Sequence, residues 1–177
     1  MGMMLLRHTQ PDVAAGICYG RSDLDLAPCF ADTARGIIDT LPDVSRIVSS
    51  PLTRCLRLAQ FVAQARALPL HIDPRLSEMD FGTWEGQPWD AIPRDQLDAW
   101  ARDILHARPH GGESVAALRA RTLAALRDHA APATLVVTHH GVIKCARSLT
   151  MGDDAWQSNL PFGQWITVST QVIANAP

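Results

Sequence analysis

The sequence has almost no lysine. Lys144 is the single one, so nearly all of its basic residues are arginine. Arginine offers a planar fork of donors suited to phosphate and carboxylate, but codon composition alone produces the same bias, and that plainer reading carries more weight. Net charge is −2 with histidine neutral, so no global field draws the chain to nucleic acid or to an anionic membrane. No run approaches the roughly 18 apolar residues that a bilayer span needs. The N-terminal apolar run is too short, and too poor in basic flanks, for a secretory signal. Cys18, Cys29, Cys55 and Cys145 form no CxxC pair and have no zinc-finger spacing with histidine. Reduced thiols in a cytoplasmic protein are the expectation. Internal repeats and low-complexity linkers are missing too. What remains, 177 residues of which 47% are hydrophobic and 19% charged, suits one domain with a sizeable core.

Short apolar runs alternate with amphipathic stretches along the chain. Residues 3–6 read as a buried strand, followed by a loop rich in Gly, Pro and Asp over residues 8–28. Phe30, Ala34, Ile37, Ile38 and Leu41 share one helical face. Residues 44–50 form a β-branched strand. A helix follows, with Ser50 as its expected N-cap and Pro51 in its first position. Residues 68–73 are a brief third strand, and 74–94 show no periodicity. Helices are expected over Gln96–Arg108, ended by Pro109, and over Glu113–His129. Residues 133–139 are a fourth strand, Gly141 opens a helix through Leu149, and 163–174 read as one or two terminal strands. This order implies an α/β fold of three layers, α/β/α, with a mainly parallel central sheet and helices on both faces.

In such sheets ligands gather beyond the carboxyl ends of the strands. Two strands stop on histidine there: "MMLLRH" ends at His8 and "TLVVTHH" at His139 and His140. If these strands are parallel neighbours, both imidazoles reach one edge. Successive side chains in extended chain face opposite ways, so only one of His139 and His140 is expected to point into a shared site. Arg7 needs an anionic partner or solvent, and a salt bridge to a carboxylate is the plain alternative. Arg54 falls in the first turn of a helix, where free N–H groups already favour an anion. Together these features point to phosphate. Glu78, Asp80 and Glu85 are all candidate proton donors, and spacing does not choose among them. A metal centre is conceivable with His8, His139 or His140 and carboxylates, but no HxH, HExxH or HxxxD-type array supports it. Arg21 either binds the remainder of a substrate or pairs with Asp23 or Asp25. Trp84, Trp89 and Trp100 either pack as core or stack on a substrate ring, and core is the plainer reading for Trp100, which falls within a helix.

Five blocks, "LLRHTQP", "SSPLTRCLRLAQ", "RLSEMDFGTWEG", "HGGES" and "VVTHHGVIK", follow one another as in a known family. The sequence resembles the histidine phosphatase superfamily, of phosphoglycerate mutase-like fold, across residues 5–144. "GICYGRSDLDL" and "DFGTWEGQPW" are most like its α-ribazole phosphatase branch, which acts late in cobalamin assembly. The resemblance implies that His8 is the nucleophile that becomes phosphohistidine. It places Arg7, Arg54 and His139 in the phosphate pocket and Glu78 as proton donor. Thr9 and His140 stand where the family commonly has glycine. Thr9 reads as a branch marker, and His140 adds bulk and a titratable group near the pocket. Thr9, Arg21 and His140 are therefore the candidate substrate-binding residues.

The expected protein is a single histidine phosphatase domain over residues 1–177, with residues 79–112 as a short cap-like segment over the pocket. Its expected activity is metal-independent hydrolysis of a small-molecule phosphate ester, α-ribazole 5′-phosphate being one such ester, with no cofactor. A broad-specificity phosphatase is an alternative. A mutase of the same fold needs longer insertions than a chain of this length provides, and a non-catalytic phospho-ligand binder fits poorly with catalytic positions that are all filled.

Overall fold

A computed structural model of the chain describes residues 2–176. Five strands, β1 (Gly2–Arg7), β2 (Arg46–Ser49), β3 (Leu70–Ile72), β4 (Thr134–Thr138) and β5 (Trp165–Ser169), form one sheet in the order β3-β2-β4-β1-β5. Neighbours are parallel except that β5 runs antiparallel to β1. Around the sheet lie α1 (Phe30–Thr40), α2 (Thr53–Arg66), α3 (Arg94–Arg102), α4 (Val115–Asp128), α5 (His140–Met151) and α6 (Thr170–Ala174). The expected three-layer α/β fold is the one observed. Among the described residues, no helix is long and apolar enough to cross a membrane.

The two central strands β1 and β4 carry unbroken apolar runs, Met3–Leu6 and Leu135–Val137, because both faces of the sheet are covered there. Met3 and Leu5 of β1 join Val136 of β4 in a core with Leu118, Leu126, Val142 and Cys145 of α4 and α5. Met4 and Leu6, one residue out of phase, join Leu135 and Val137 in a second core with Ala34 and Ile37 of α1 and Leu58 and Val62 of α2. A strand buried on both faces has little freedom to shift its register. That rigidity positions everything at its carboxyl end.

Several element ends differ from expectation. The Ser50 hydroxyl does not cap α2. Within this turn it meets Leu52 N at 3.3 Å, and the helix begins at Thr53. The cap comes from the long loop instead: Asp23 accepts from Thr53 N at 2.7 Å and from its hydroxyl at 2.8 Å. The helix expected through Arg108 ends at Arg102, well before Pro109. There the Asp103 carboxylate accepts from His106 N at 3.2 Å and its carbonyl from Ala107 N at 2.9 Å, closing a separate turn; such side-chain bonds from aspartate compete with a continuing helix. The second terminal strand is α6, which turns Ile173 fully into the α4–α5 core. Burying that side chain outweighs the β-branched propensity of the segment.

Candidate active site

β1 and β4 lie side by side with Arg7 opposite Thr138, so His8 and His139 leave the sheet at the same edge. Their ring centroids are 5.1 Å apart at 61°, and the residues are 1% and 0% exposed. His8 Nδ1 lies 2.6 Å from its neighbour's carbonyl, Thr9 O. A carbonyl only accepts, so Nδ1 carries the proton and Nε2 keeps a free lone pair. His139 Nε2 sits 2.8 Å from Ser50 Oγ and 3.3 Å from Cys55 Sγ. Burial holds His8 well below the ordinary imidazole range, with the charge of Arg54 and then of Arg7 adding to it. His139 is lowered in the same way, by burial first and then by His8 and Arg54. For His8 loss of water outweighs the neighbouring arginines.

Arg54 is 0% exposed. It donates to Ser22 O at 2.7 Å and Gly20 O at 2.6 Å, lies 5.1 Å from the Tyr19 ring, and keeps a buried Nε with no partner in the protein. Half-buried Arg7 donates to Leu160 O at 2.6 Å, stacks 3.9 Å from the Phe162 ring, and also keeps an unpartnered Nε. Among the described residues neither guanidinium has a carboxylate within ion-pair distance. The salt-bridge alternative for Arg7 therefore fails. Two guanidinium groups withdrawn from water without a counter-charge are costly unless an anion joins them.

The three carboxylates that spacing left open separate clearly. Glu85 is saturated: it accepts from Arg21 N at 2.9 Å, Ser22 N at 2.8 Å, Phe81 N at 2.9 Å and the Ser22 hydroxyl. Asp80 closes a local turn on Gly82 N at 2.8 Å. Only Glu78 lines the cavity of about 420 Å³ that opens beside Arg7. Its oxygens accept from Met79 N at 2.9 Å and from Gly141 N at 3.1 Å, in the first turn of α5. Position 141 must be glycine for this approach, because a Cβ there would overlap the Glu78 carboxylate. Arg121 of α4 fixes the backbone that leads into it. Arg121 is bidentate to Glu113 at 2.7 Å and donates to Arg75 O, Ser77 O and Glu78 O.

The walls of the cavity include Phe81, Trp89, Trp100, Trp156 and Tyr19. Trp84 is instead fully buried core, its indole N–H donating to Gln96 at 2.8 Å. His140 lines the cavity and is lowered to about 4 by burial, then by Arg7 and Lys144. Thr9 is buried with an unpartnered hydroxyl. The Arg21 side chain is exposed, outside the cavity wall, and forms no ion pair with Asp23 or Asp25; its backbone N–H holds Glu85. Among the described residues, no three His, Cys, Asp or Glu side chains gather as a metal-holding group. Sequence reasoning missed the Glu85 and Arg121 clamps, whose partners are far apart in the chain. Tyr19 was missed as well, although it is the sole tyrosine.

The model of the histidine phosphatase superfamily (branch 1) matches residues 3–169. The chain belongs to that family. Among histidine phosphatases it is 30% identical over 182 residues to the adenosylcobalamin/α-ribazole phosphatase of Escherichia coli K12, covering 95% of this chain and 89% of that one. It is 32% identical over 166 residues to a probable phosphoglycerate mutase, GpmB, of Proteus mirabilis, covering 86% and 75%. The α-ribazole phosphatase structure from Shigella flexneri superposes with a TM-score of 0.79 at 31% identity, over 93% of this chain and 88% of that one. A mycobacterial glucosyl-3-phosphoglycerate phosphatase gives 0.80 at 26% identity, over 95% and 89%.

Proposed function

We propose that this histidine phosphatase is a metal-independent phosphomonoesterase that works through a phosphohistidine on His8. One observation carries the reading: Arg54 and Arg7, both without a carboxylate partner among the described residues, act on a neutral imidazole whose Nε2 keeps its lone pair. A phosphoryl group supplies the missing anion, and the guanidinium groups supply the charge that its oxygens need in the transition state.

The bonds follow from that arrangement. His8 Nε2 attacks phosphorus while the bond to the ester oxygen breaks. Glu78 gives its proton to the leaving alcohol. The Nδ1–H bond to Thr9 O keeps the His8 ring in the attacking tautomer and stabilises the charge that develops on it. His139, held by Ser50, completes the phosphate pocket. A water then attacks phosphorus, Glu78 takes a proton from it, and the P–Nε2 bond breaks to release phosphate. Residues 79–112 act as a cap, since Phe81, Trp89, Trp100 and Ile104 come from that segment.

The alcohol to try first is α-ribazole, as its 5′-phosphate. Relatives carry that name over nearly the whole chain, and the aromatic cavity wall suits a flat base. Transfer of the phosphoryl group to water rather than back to a phosphoglycerate is the second part of the reading. Four measurements test the reading. His8→Ala should abolish p-nitrophenyl phosphate turnover, and wild type should yield a phosphoenzyme when quenched with labelled substrate; an active variant refutes the nucleophile. EDTA should leave the rate unchanged, and a loss restored only by a divalent ion refutes metal independence. Release of inorganic phosphate from α-ribazole 5′-phosphate, against isomerisation of 3-phosphoglycerate, separates phosphatase from mutase.

A further inference from the structure

Lys144, the sole lysine, has no part in the chemistry above. It lies on α5 four residues after His140, on the same helix face, and both line the cavity. Its Nζ donates to Trp156 O at 2.8 Å, which anchors the half-buried side chain at the cavity wall. Among the described residues it forms no ion pair. Glu78 lines the same cavity and also lacks a cationic partner, taking only backbone N–H groups. The two nevertheless feel each other. Burial lowers the Lys144 ammonium, and the charge of Glu78 is the largest influence opposing that loss.

Turnover changes the charge on Glu78 twice, and this inference rests on that reading of the site. When Glu78 has given its proton to the alcohol, a carboxylate faces a phosphoryl group that is itself anionic. Arg7 and Arg54 are committed to the phosphoryl oxygens. Lys144 is the cavity-wall cation left to balance the new carboxylate. We propose that Lys144 is a positioning residue for the second half-reaction, keeping Glu78 ionised and oriented while it takes the proton from the water that attacks the phosphohistidine. The step is balanced: the water O–P bond forms, the P–Nε2 bond breaks, and the water proton passes to a Glu78 oxygen.

This role has a signature that a purely structural role lacks. A cation near a carboxylate favours its proton-accepting form and opposes its proton-donating form. Removing the cation should therefore slow dephosphorylation and spare phosphorylation. The test is a rapid-quench measurement with labelled p-nitrophenyl phosphate and glycerol 3-phosphate on wild type, Lys144→Met and Lys144→Arg. Phosphoenzyme formation is followed first, and its decay after a chase with unlabelled ester second. In Lys144→Met, decay should slow about 10-fold or more while formation from glycerol 3-phosphate holds or rises, so phosphoenzyme accumulates; Lys144→Arg should restore decay. Decay within twofold of wild type in Lys144→Met, or formation and decay falling together, overturns the proposal. Thermal melts of the variants separate these outcomes from misfolding. If wild type traps no phosphoenzyme and His8→Ala stays active, the phosphohistidine reading itself has failed.

Discussion

The two halves of this site are built by different means. The half at the sheet edge, with Arg7, His8 and His139, is positioned by backbone. β1 and β4 are buried on both faces and locked in register, so their next residues have little choice of place. The half that carries Glu78 has no strand of its own. Its backbone is held by side chains: Arg121 on the Glu78 and Ser77 carbonyls, and Glu85 on the N–H groups of two separate loops. A ladder of backbone hydrogen bonds tolerates most substitutions around it. A polar clamp depends on each of its members. Phosphate binding should therefore be hard to disturb from a distance, and handling of the leaving group easy.

The largest test of that contrast is to damage the acid half alone. Glu78→Gln keeps size and hydrogen bonding but cannot transfer a proton. It should cut hydrolysis of a ribose 5′-phosphate ester by about 10²–10⁴-fold. p-Nitrophenyl phosphate, whose phenolate leaves without a proton, should suffer much less. Gly141→Ala should produce the same selectivity in weaker form, because its Cβ displaces the Glu78 carboxylate without touching Arg54 or His8. Equal losses on both esters would mean that Glu78 positions phosphate, and a selective loss in Asp80→Asn would move the acid role there.

The same division separates what the sequence reveals from what it hides. His8 and His139 are legible because an apolar run of period one announces a strand buried on both faces, and parallel neighbours must end together. Arg54 is legible as the first turn of a helix, but its freedom from carboxylates is not. Glu78, Asp80 and Glu85 look alike in sequence, since what distinguishes them is which backbone N–H groups they meet after folding. Asp23 capping α2 across 30 residues hides for the same reason. The end of α3 at Arg102 rests on a local turn at Asp103, and the helix α6 in place of a strand was decided by tertiary contacts, against local propensity.

A smaller effect is expected from Glu85. Its carboxylate joins the Arg21–Ser22 turn to Phe81, tying the loop after β1 to the segment that walls the cavity. In Glu85→Gln one acceptor oxygen becomes an amide that faces N–H groups. The cost should be about 2–3 kcal/mol, read as a lower urea midpoint with an unchanged slope. Limited proteolysis should then open the chain first within residues 9–28 or 77–112. Cleavage first in α2 or α4 would show that the clamp matters less than the packing around it.

The smallest predicted effect is a pH dependence at the foot of the acid half. Asp73 follows β3 and is nearly buried. It takes two hydrogen bonds of the Arg75 guanidinium group at its Oδ2, the nearer at 2.7 Å, and one from His129 Nε2 at 3.0 Å. The Arg75 hydrogen bonds, ahead of the opposing effect of burial, lower Asp73 to about 2. Arg75 in turn presents the carbonyl that receives Arg121, so this cluster underlies the Glu78 backbone. The folded state holds the carboxylate more strongly than the unfolded chain does. Stability from Asp73 is therefore fully present above the unfolded carboxyl range near pH 4, and is lost as pH falls through about 2. Because Arg75 is partly exposed and screened, the contribution should be about 1–2 kcal/mol. Asp73→Asn should be less stable than wild type by that amount at pH 7, and the gap should close as pH falls from about 5 toward 2. Urea titrations of both proteins across that range measure it. A gap that stays constant with pH would mean that Asp73 contributes through its shape and neutral hydrogen bonds and not through its charge.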